Sequence, residues 1–245
     1  MFDRLSIETS SYCNRRCTTC LRQLYPDRDK VKPWFTQNLF PDYMVYDILD
    51  QAYEMGHRRT ICFNFYNEPM LDKRLPDFGR YAMKLGFSRV MFASNGDYLD
   101  EAMAQRLDGC FHFFNISPYD DNSPERLKVI QGWLKETGVR FTNGLHFQVH
   151  CFSGDDPYLK ELADRRCHNA ARNAVINHRG DFLICCQELV PHFDLGNIYD
   201  TPLKELWTAK LPLNRTLLRQ GRRGYPYCAT CYRGSKKEYV EVVSE

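Results

Sequence analysis

The sequence predicts an α/β fold: a partial (β/α)5-6 TIM-like barrel followed by a small C-terminal β-hairpin-plus-helix domain that gathers cysteines. Three observations point there. Apolar strand-like runs alternate with helix-like runs, and alternating β and α units build a parallel sheet with helices outside it. The last two strand-like runs of this series are separated only by Gly144, which leaves no room for a crossover helix, so the barrel ends short of closure or irregularly. The final third changes character, with four cysteines and a turn signal between two apolar runs. Residues 1–155 are accordingly read as the barrel and 156–245 as the C-terminal cluster domain.

The elements follow in order. Strands are expected near residues 4–9, 60–66, 89–94, 111–117, 139–143 and 145–151. Pro41–Met55 places Met44, Ile48 and Ala52 on one helical face, with Gly56 as a stop. Ser123 is a good N-cap and Pro124 suits the first helical position. Leu127, Ile130 and Leu134 then share a face, and Gly138 is expected to end that helix. Asn177-His178-Arg179-Gly180-Asp181, between two apolar runs, reads as a hairpin tip. There is no internal repeat, low-complexity tract or apolar run long enough to span a membrane. Met1–Ser10 has neither a basic n-region nor a long apolar stretch, so a cytoplasmic, reducing location is expected.

Eleven cysteines in such a chain point to metal chemistry before disulfides. Cys13, Cys17 and Cys20 form a C-x3-C-x2-C run. Three thiolates on one tight loop can hold three irons of a four-iron cluster and leave the fourth iron open. Cys167, Cys185, Cys228 and Cys231 form a second set, and four ligands can close a cluster completely. Zinc is the alternative for both sets, more so for the second, because structural zinc takes four ligands. Cys62 and Cys110 lie in apolar surroundings and read as buried small hydrophobes. Cys186 adjoins Cys185, and strand alternation should turn it away from that ligand set. Cys151, near the end of the last barrel strand where substrate would sit, is a candidate catalytic thiol.

The triad after a first strand resembles that of the radical S-adenosylmethionine (radical SAM) superfamily. The resemblance implies that S-adenosyl-L-methionine (SAM) binds the open iron and is cleaved to a 5′-deoxyadenosyl radical, which takes a hydrogen from substrate. Further matches follow at suitable places. Asn64-Phe65-Tyr66-Asn67-Glu68-Pro69 stands where the family has a Gly-Gly-Glu-Pro turn, which implies that Glu68 meets the SAM amine. Tyr66 and Asn67 replace both glycines. Ser94 and Asn95 of Ser94-Asn95-Gly96 match small polar residues that meet the SAM carboxylate or ribose, and Ser117 ends the fourth strand at a comparable position. Thr19 stands where the family usually has an aromatic residue, so the adenine pocket is unassigned. The second cysteine set, with Gly180 and Leu206-Trp207, resembles a Twitch domain, the shortened form of the SPASM domain. That resemblance implies one auxiliary cluster, hence two 4Fe-4S clusters in all, and an external reductant such as flavodoxin or ferredoxin.

The substrate is the least determined part. The layout is similar to that of the 2-deoxy-scyllo-inosamine dehydrogenases of aminoglycoside biosynthesis, which implies a small polar substrate oxidised with its extra electron leaving through the auxiliary cluster. Lys204–Lys237 carries nine basic residues against one acid, Glu205, a solvated face or a polyanion-binding one. That stretch keeps open a radical rearrangement or modification of a nucleobase, nucleotide or nucleic acid. A peptide-modifying enzyme and a non-catalytic metal-binding module are further alternatives. Glu8, Tyr119, Asp120, His146, Gln148, His150 and Cys151 are pocket candidates, either from strand alternation or from their place at the rim where barrels put their chemistry.

Overall fold

The computed structural model describes residues 1–17, 20–25, 27–36, 38–117, 123–142 and 163–231. A seven-stranded sheet, in the order β5-β4-β3-β2-β1-β6-β7, organises them. The strands are β1 (Arg4–Ile7), β2 (Thr60–Cys62), β3 (Arg89–Ser94), β4 (Phe113–Ile116), β5 (Gly138–Phe141), β6 (Asn173–Ile176) and β7 (Phe182–Leu183). Every pairing from β5 through β1 to β6 is parallel, and β7 alone runs antiparallel.

Alternation along the strands decides which side chains meet the helices. On β1, Leu5 and Ile7 are fully buried in the main core, while Arg4 and Ser6 line a cleft on the other face. On β3, Val90 and Phe92 join the core, and Met91 and Ala93 face the cleft. Helix α3 (Asp42–Glu54) follows α1 (Leu21–Leu24) and α2 (Arg28–Val31), and it covers the sheet with Val45, Ile48, Leu49 and Ala52, all at 0% exposure. Helix α4 (Leu75–Leu85) adds Phe78, stacked 6.2 Å from Phe63. Phe92 in turn stacks on Phe114 at 5.0 Å. Each such ring, fully buried, contributes about 1.5–3 kcal/mol. Gly79 lets α4 come this close: a Cβ there would lie 2.4 Å from the Phe111 ring and 2.6 Å from the Cys110 carbonyl. Helix α5 (Glu101–Leu107) is capped by Asp100, whose carboxylate accepts from the Met103 N–H at 2.7 Å.

Helix α6 (Pro124–Trp133) begins as its sequence predicts, with the Ser123 hydroxyl accepting from the Arg126 N–H at 3.1 Å. It ends at Trp133, and Gly138 is the first residue of β5 instead of a helix stop. The reason is local. The Asp108 carboxylate accepts from the backbone N–H groups of Lys135, Glu136 and Thr137, each at 2.9 Å, and pulls the chain out of the helix early. Strands β2 and β4 are shorter than the apolar runs that suggested them.

The expected strand at 145–151 and the proposed boundary at 155/156 lie outside the described residues. What stands beside β1 is β6, in register Leu5↔Ala174 and Ile7↔Ile176. The hairpin of the C-terminal region is therefore continuous with the barrel sheet. The predicted tip at Asn177–Asp181 joins β6 to β7, and the Asn177 side-chain oxygen accepts from the N–H groups of Arg179 and Asp181. Helix α7 (His168–Arg172) precedes this hairpin, and α8 (Leu203–Arg219) packs against both α7 and α3. Helix α9 (Pro226–Ala229) carries Cys228. Among the described residues no helix is long and apolar enough to cross a membrane.

Candidate functional site

The loops that leave β1, β2, β3 and β4 at their C-terminal ends converge on one cleft of about 400 Å³. Cys13, Cys17 and Cys20 line it, as do Glu68, Ser94, Asn95 and Ser117. Four separate segments thus bring together the triad and every residue expected at the SAM site. This is where parallel barrels place their chemistry.

The bonding within the cleft gives these residues more structural work than the sequence suggested. Glu68 is 2% exposed. One carboxylate oxygen accepts from the Ser94 hydroxyl at 2.7 Å and the Met70 N–H at 3.1 Å, and the other accepts from the Asn95 N–H at 2.8 Å. A carboxylate has about four acceptor positions, so one remains for a ligand. Burial pushes the Glu68 carboxyl above its ordinary range, while the three donors oppose that shift. The Ser94 hydroxyl also accepts from the Gly96 N–H at 2.9 Å. Gly96 has φ +79°, and a Cβ there would lie 2.7 Å from Ile116, so this turn requires glycine. The Asn95 amide donates to the Asn14 side chain at 2.9 Å, and Ser117 pairs with Thr142 at 2.7 Å.

Sequence reasoning missed the staple that fixes the triad loop. The Asp97 carboxylate accepts from Arg15 Nε at 2.6 Å and from the Asn14 amide. The Arg15 guanidinium holds the Asp97 carboxyl below its usual range. Asp97 directly follows Ser94-Asn95-Gly96, and Asn14 and Arg15 sit inside the C-x3-C spacer. The opposite charges of Arg15 and Asp97 were the available signal.

Glu8 does not line the cleft. It is 1% exposed, and its two oxygens accept from the Tyr66 N–H at 3.0 Å and from the His178 N–H and Nδ1 at 3.1 and 2.7 Å. It ties the β2 turn to the C-terminal hairpin, which answers the cost of a charge on a central strand. The pocket candidates Tyr119, Asp120, His146, Gln148, His150 and Cys151 lie outside the described residues, as does Thr19. The two departures from the family turn, Tyr66 and Asn67, have no positive φ, so no glycine is needed. The Tyr66 hydroxyl reaches across to donate to the Cys186 carbonyl at 3.2 Å.

The second cysteine set surrounds its own apolar cavity. Cys167, Cys185, Cys228 and Cys231 all line it, with Ile184, Leu217, Arg222 and Tyr227. Cys186 is absent from that lining and faces the first cleft, as alternation predicted. Gln187 lines both spaces. Burial pushes the Cys185 and Cys228 thiols well above their ordinary range, and the Cys20 thiol up to about 11. Ligation would require these thiols to lose their protons. Among the described residues no three His, Cys, Asp or Glu side chains converge as a single-ion site. Tetrahedral zinc would draw its sulfurs to about 3.8 Å from one another.

The basic stretch does not form one exposed face. Lys210 and Arg222 are buried, at 0% and 5% exposure, and Arg223 pairs with Asp164. Arg233, Lys236 and Lys237 lie outside the described residues.

Comparison with known proteins agrees with this geometry. Residues 167–232 match the SPASM iron–sulfur cluster-binding domain. The chain is 24% identical over 248 residues to the S-adenosyl-L-methionine-dependent 2-deoxy-scyllo-inosamine dehydrogenase of Niallia circulans, covering 94% of this chain and 93% of that protein. The crystal structure of BtrN in complex with AdoMet and 2-DOIA superposes with TM-score 0.75 at 20% identity, covering 96% of this chain and 94% of that one. An open conformation of BtrN gives TM-score 0.72 at 18% identity, with 98% and 99% coverage. The enzyme anSMEcpe with bound AdoMet gives 0.59 at 14%, with 93% and 88% coverage. At these identities the structural likenesses establish the fold, a partial barrel with a C-terminal region. The chain is therefore related to 2-deoxy-scyllo-inosamine dehydrogenase: a radical SAM oxidoreductase homologue carrying a SPASM-type auxiliary cluster domain.

Proposed function

We propose that this protein oxidises a small polar substrate by radical SAM dehydrogenation, with Cys13, Cys17 and Cys20 holding one 4Fe-4S cluster and Cys167, Cys185, Cys228 and Cys231 holding another. The observation that carries this reading is the shared wall. Cys186 and Gln187 line the cleft of the triad, Gln187 also lines the cavity of the second set, and the Gln187 N–H reaches Cys185 Sγ at 3.4 Å. When bound, the first cluster with SAM supplies a hydrogen-abstracting radical, and the second supplies an electron acceptor. Loss of a hydrogen atom from a carbinol carbon, then of a hydroxyl proton and one electron, gives a ketone.

The chain's own residues do the holding. Glu68 keeps an acceptor position for the SAM amine and fixes the Ser94–Asn95 turn. Arg15 and Asp97 hold the triad loop against that turn. Deeper in the cleft, Ser6, Asn64, Asn115 and Ser117 present hydrogen-bonding groups, with Arg4 as a cation, which suits a polyhydroxylated molecule. A flavodoxin or ferredoxin would deliver the priming electron. The test is anaerobic reconstitution with iron and sulfide, then incubation with reductant, SAM and a panel of aminocyclitols, peptides and nucleotides. Loss of two hydrogens from an aminocyclitol, with 5′-deoxyadenosine formed, is the expected result. A product of unchanged mass, or a modified peptide or nucleotide, would replace this reading.

A further inference from the structure

Arg4 is a cation of the first cleft that neither the triad nor the SAM contacts account for. It is half-buried at the first position of β1 and pairs in register with Thr60 and Asn173, the first residues of β2 and β6. Strands rise about 3.3 Å per residue, so the Arg4 backbone lies about 10 Å below Ile7, the end of β1 from which the triad loop departs. Arg4 therefore lines the cleft from its floor, on the side away from the cysteines. It forms no ion pair among the described residues. Its hydrogen bond goes to Met91 Sδ at 3.9 Å, and a thioether is a weak acceptor. The other charged side chains on this lining are engaged. Arg15 pairs with Asp97, and Glu68 accepts from three donors, none of them Arg4. Neutral donors share the space. Asn64 Oδ1 accepts from the Ala93 N–H at 2.9 Å and from Cys62 Sγ at 3.0 Å, which leaves its NH2 group to donate. Asn115 lines the same cleft, and its amide has no hydrogen bond among the described residues.

We propose that Arg4 is the substrate-recognition residue of this cleft, and that the substrate carries an oxyanion, a phosphate or a carboxylate, on its polyhydroxylated frame. This rests on the reading of the cleft as a substrate site and narrows it. A guanidinium presents five N–H donors in a planar fork, and both groups accept two parallel bonds from it. Asn64 and Asn115 supply further donors, while no described carboxylate on the lining competes for Arg4. An ammonium at the same depth would be repelled, so an aminocyclitol would turn its amine toward the open side of the cleft.

The test is calorimetry on the reconstituted, SAM-loaded holoenzyme without reductant, which reads binding apart from turnover. The probes share one frame and differ in one substituent: D-glucose 6-phosphate and D-glucuronate against D-glucose and 6-amino-6-deoxy-D-glucose. One oxyanion probe should bind about tenfold more tightly than the neutral and amine probes, as a charge-assisted bond provides, and which one it is separates phosphate from carboxylate. Arg4→Gln should remove that preference. Arg4→Lys keeps the charge but loses the fork, and should retain part of it. Arg4→Met is the second uncharged variant if Arg4→Gln loads poorly. An oxyanion preference under about twofold, absence of measurable binding included, overturns the inference. So does a preference that survives in both uncharged variants. A loss of SAM affinity of about tenfold in those variants overturns it as well, because Arg4 would then serve the SAM carboxylate. The two readings fail separately. An oxyanion probe that binds through Arg4 and, once reductant is added, gives product of unchanged mass sinks the dehydrogenation and leaves this inference standing.

Discussion

The two cysteine sets sit in opposite kinds of surroundings. The triad lies on an irregular loop between β1 and α1, with all three cysteines partly exposed to an open cleft. Its fixation is polar: Asp97, Arg15 and Asn14 hold it from outside. The second set surrounds a mostly apolar cavity in the fold. Cys185 and Cys228 are 9% exposed and belong to the hydrophobic core cluster. Three cysteines facing an open cleft would suit a site that must admit a small molecule. Four cysteines around a mostly apolar cavity would suit one that exchanges only electrons.

The sharpest break of this comparison is to empty one side at a time. Cys13→Ala/Cys17→Ala/Cys20→Ala should abolish 5′-deoxyadenosine formation and lower iron from about eight to about four per chain. SAM cleavage that persists in that variant would remove the triad from the reaction. Cys228→Ala/Cys231→Ala should have the converse signature, with 5′-deoxyadenosine still formed and oxidised product lost. Normal turnover by the double variant would make the second site structural, and the reading would move to a redox-neutral rearrangement.

Between the two sites stands Glu8. Glu8→Ala leaves the N–H groups of Tyr66 and His178 and the His178 ring without their shared acceptor. Unsatisfied buried groups of this kind cost about 1–3 kcal/mol each, so a loss of about 3 kcal/mol is expected in chemical denaturation. A loss under about 1 kcal/mol would mean that the hairpin is held to the barrel by β1–β6 pairing alone.

Glu68→Gln acts on the cleft side only. It keeps the size and loses the charge, so SAM affinity should fall by about one to two orders of magnitude, from a charge-assisted bond of about 1.5–3 kcal/mol. One amide hydrogen would also face the donors that Glu68 now accepts from. Iron content should stay unchanged. Undiminished SAM binding would reduce Glu68 to a brace for the Ser94–Asn95 turn.

Legibility in the sequence follows the same division. Spacing exposed the triad because its three cysteines share one short segment, whereas the four of the second set span Cys167 to Cys231 and meet only in the fold. Alternation found β1, β3 and the hairpin, and turned Cys186 correctly away from the second cavity. Contacts distant in sequence were harder to read. Asp108 ending α6, Arg15 bonded to Asp97 and Glu8 bonded to His178 join segments between 27 and 170 residues apart. A buried charge announces that it needs a partner without naming which one. The role of β6 was hidden similarly: its apolar run fits a hairpin strand, and only the fold makes β1 its other neighbour. The basic run misled because counting charge along the chain ignores burial, and Lys210 and Arg222 turn inward.

Tyr66 is the finest test of how the two regions are joined. At a position where the family carries glycine, a large side chain needs somewhere to go, and here it crosses from the cleft of the triad to the wall shared with the second cavity. The ring packs 4.3 Å from Phe65, and burial drives the hydroxyl far above its ordinary range, so it stays a donor to the Cys186 carbonyl. Tyr66→Phe keeps the ring and removes that bond, at a cost of about 0.5–1.5 kcal/mol in denaturation. Tyr66→Gly restores the family residue but opens a cavity beside Cys186 and Gln187, and should cost about 3–5 kcal/mol, as for other large aromatic deletions. If the side chain only fills space, Tyr66→Phe is silent in both stability and turnover. If it holds the wall in place for electron passage, Tyr66→Phe lowers oxidised product relative to 5′-deoxyadenosine while leaving SAM affinity unchanged, and that ratio is the quantity to measure.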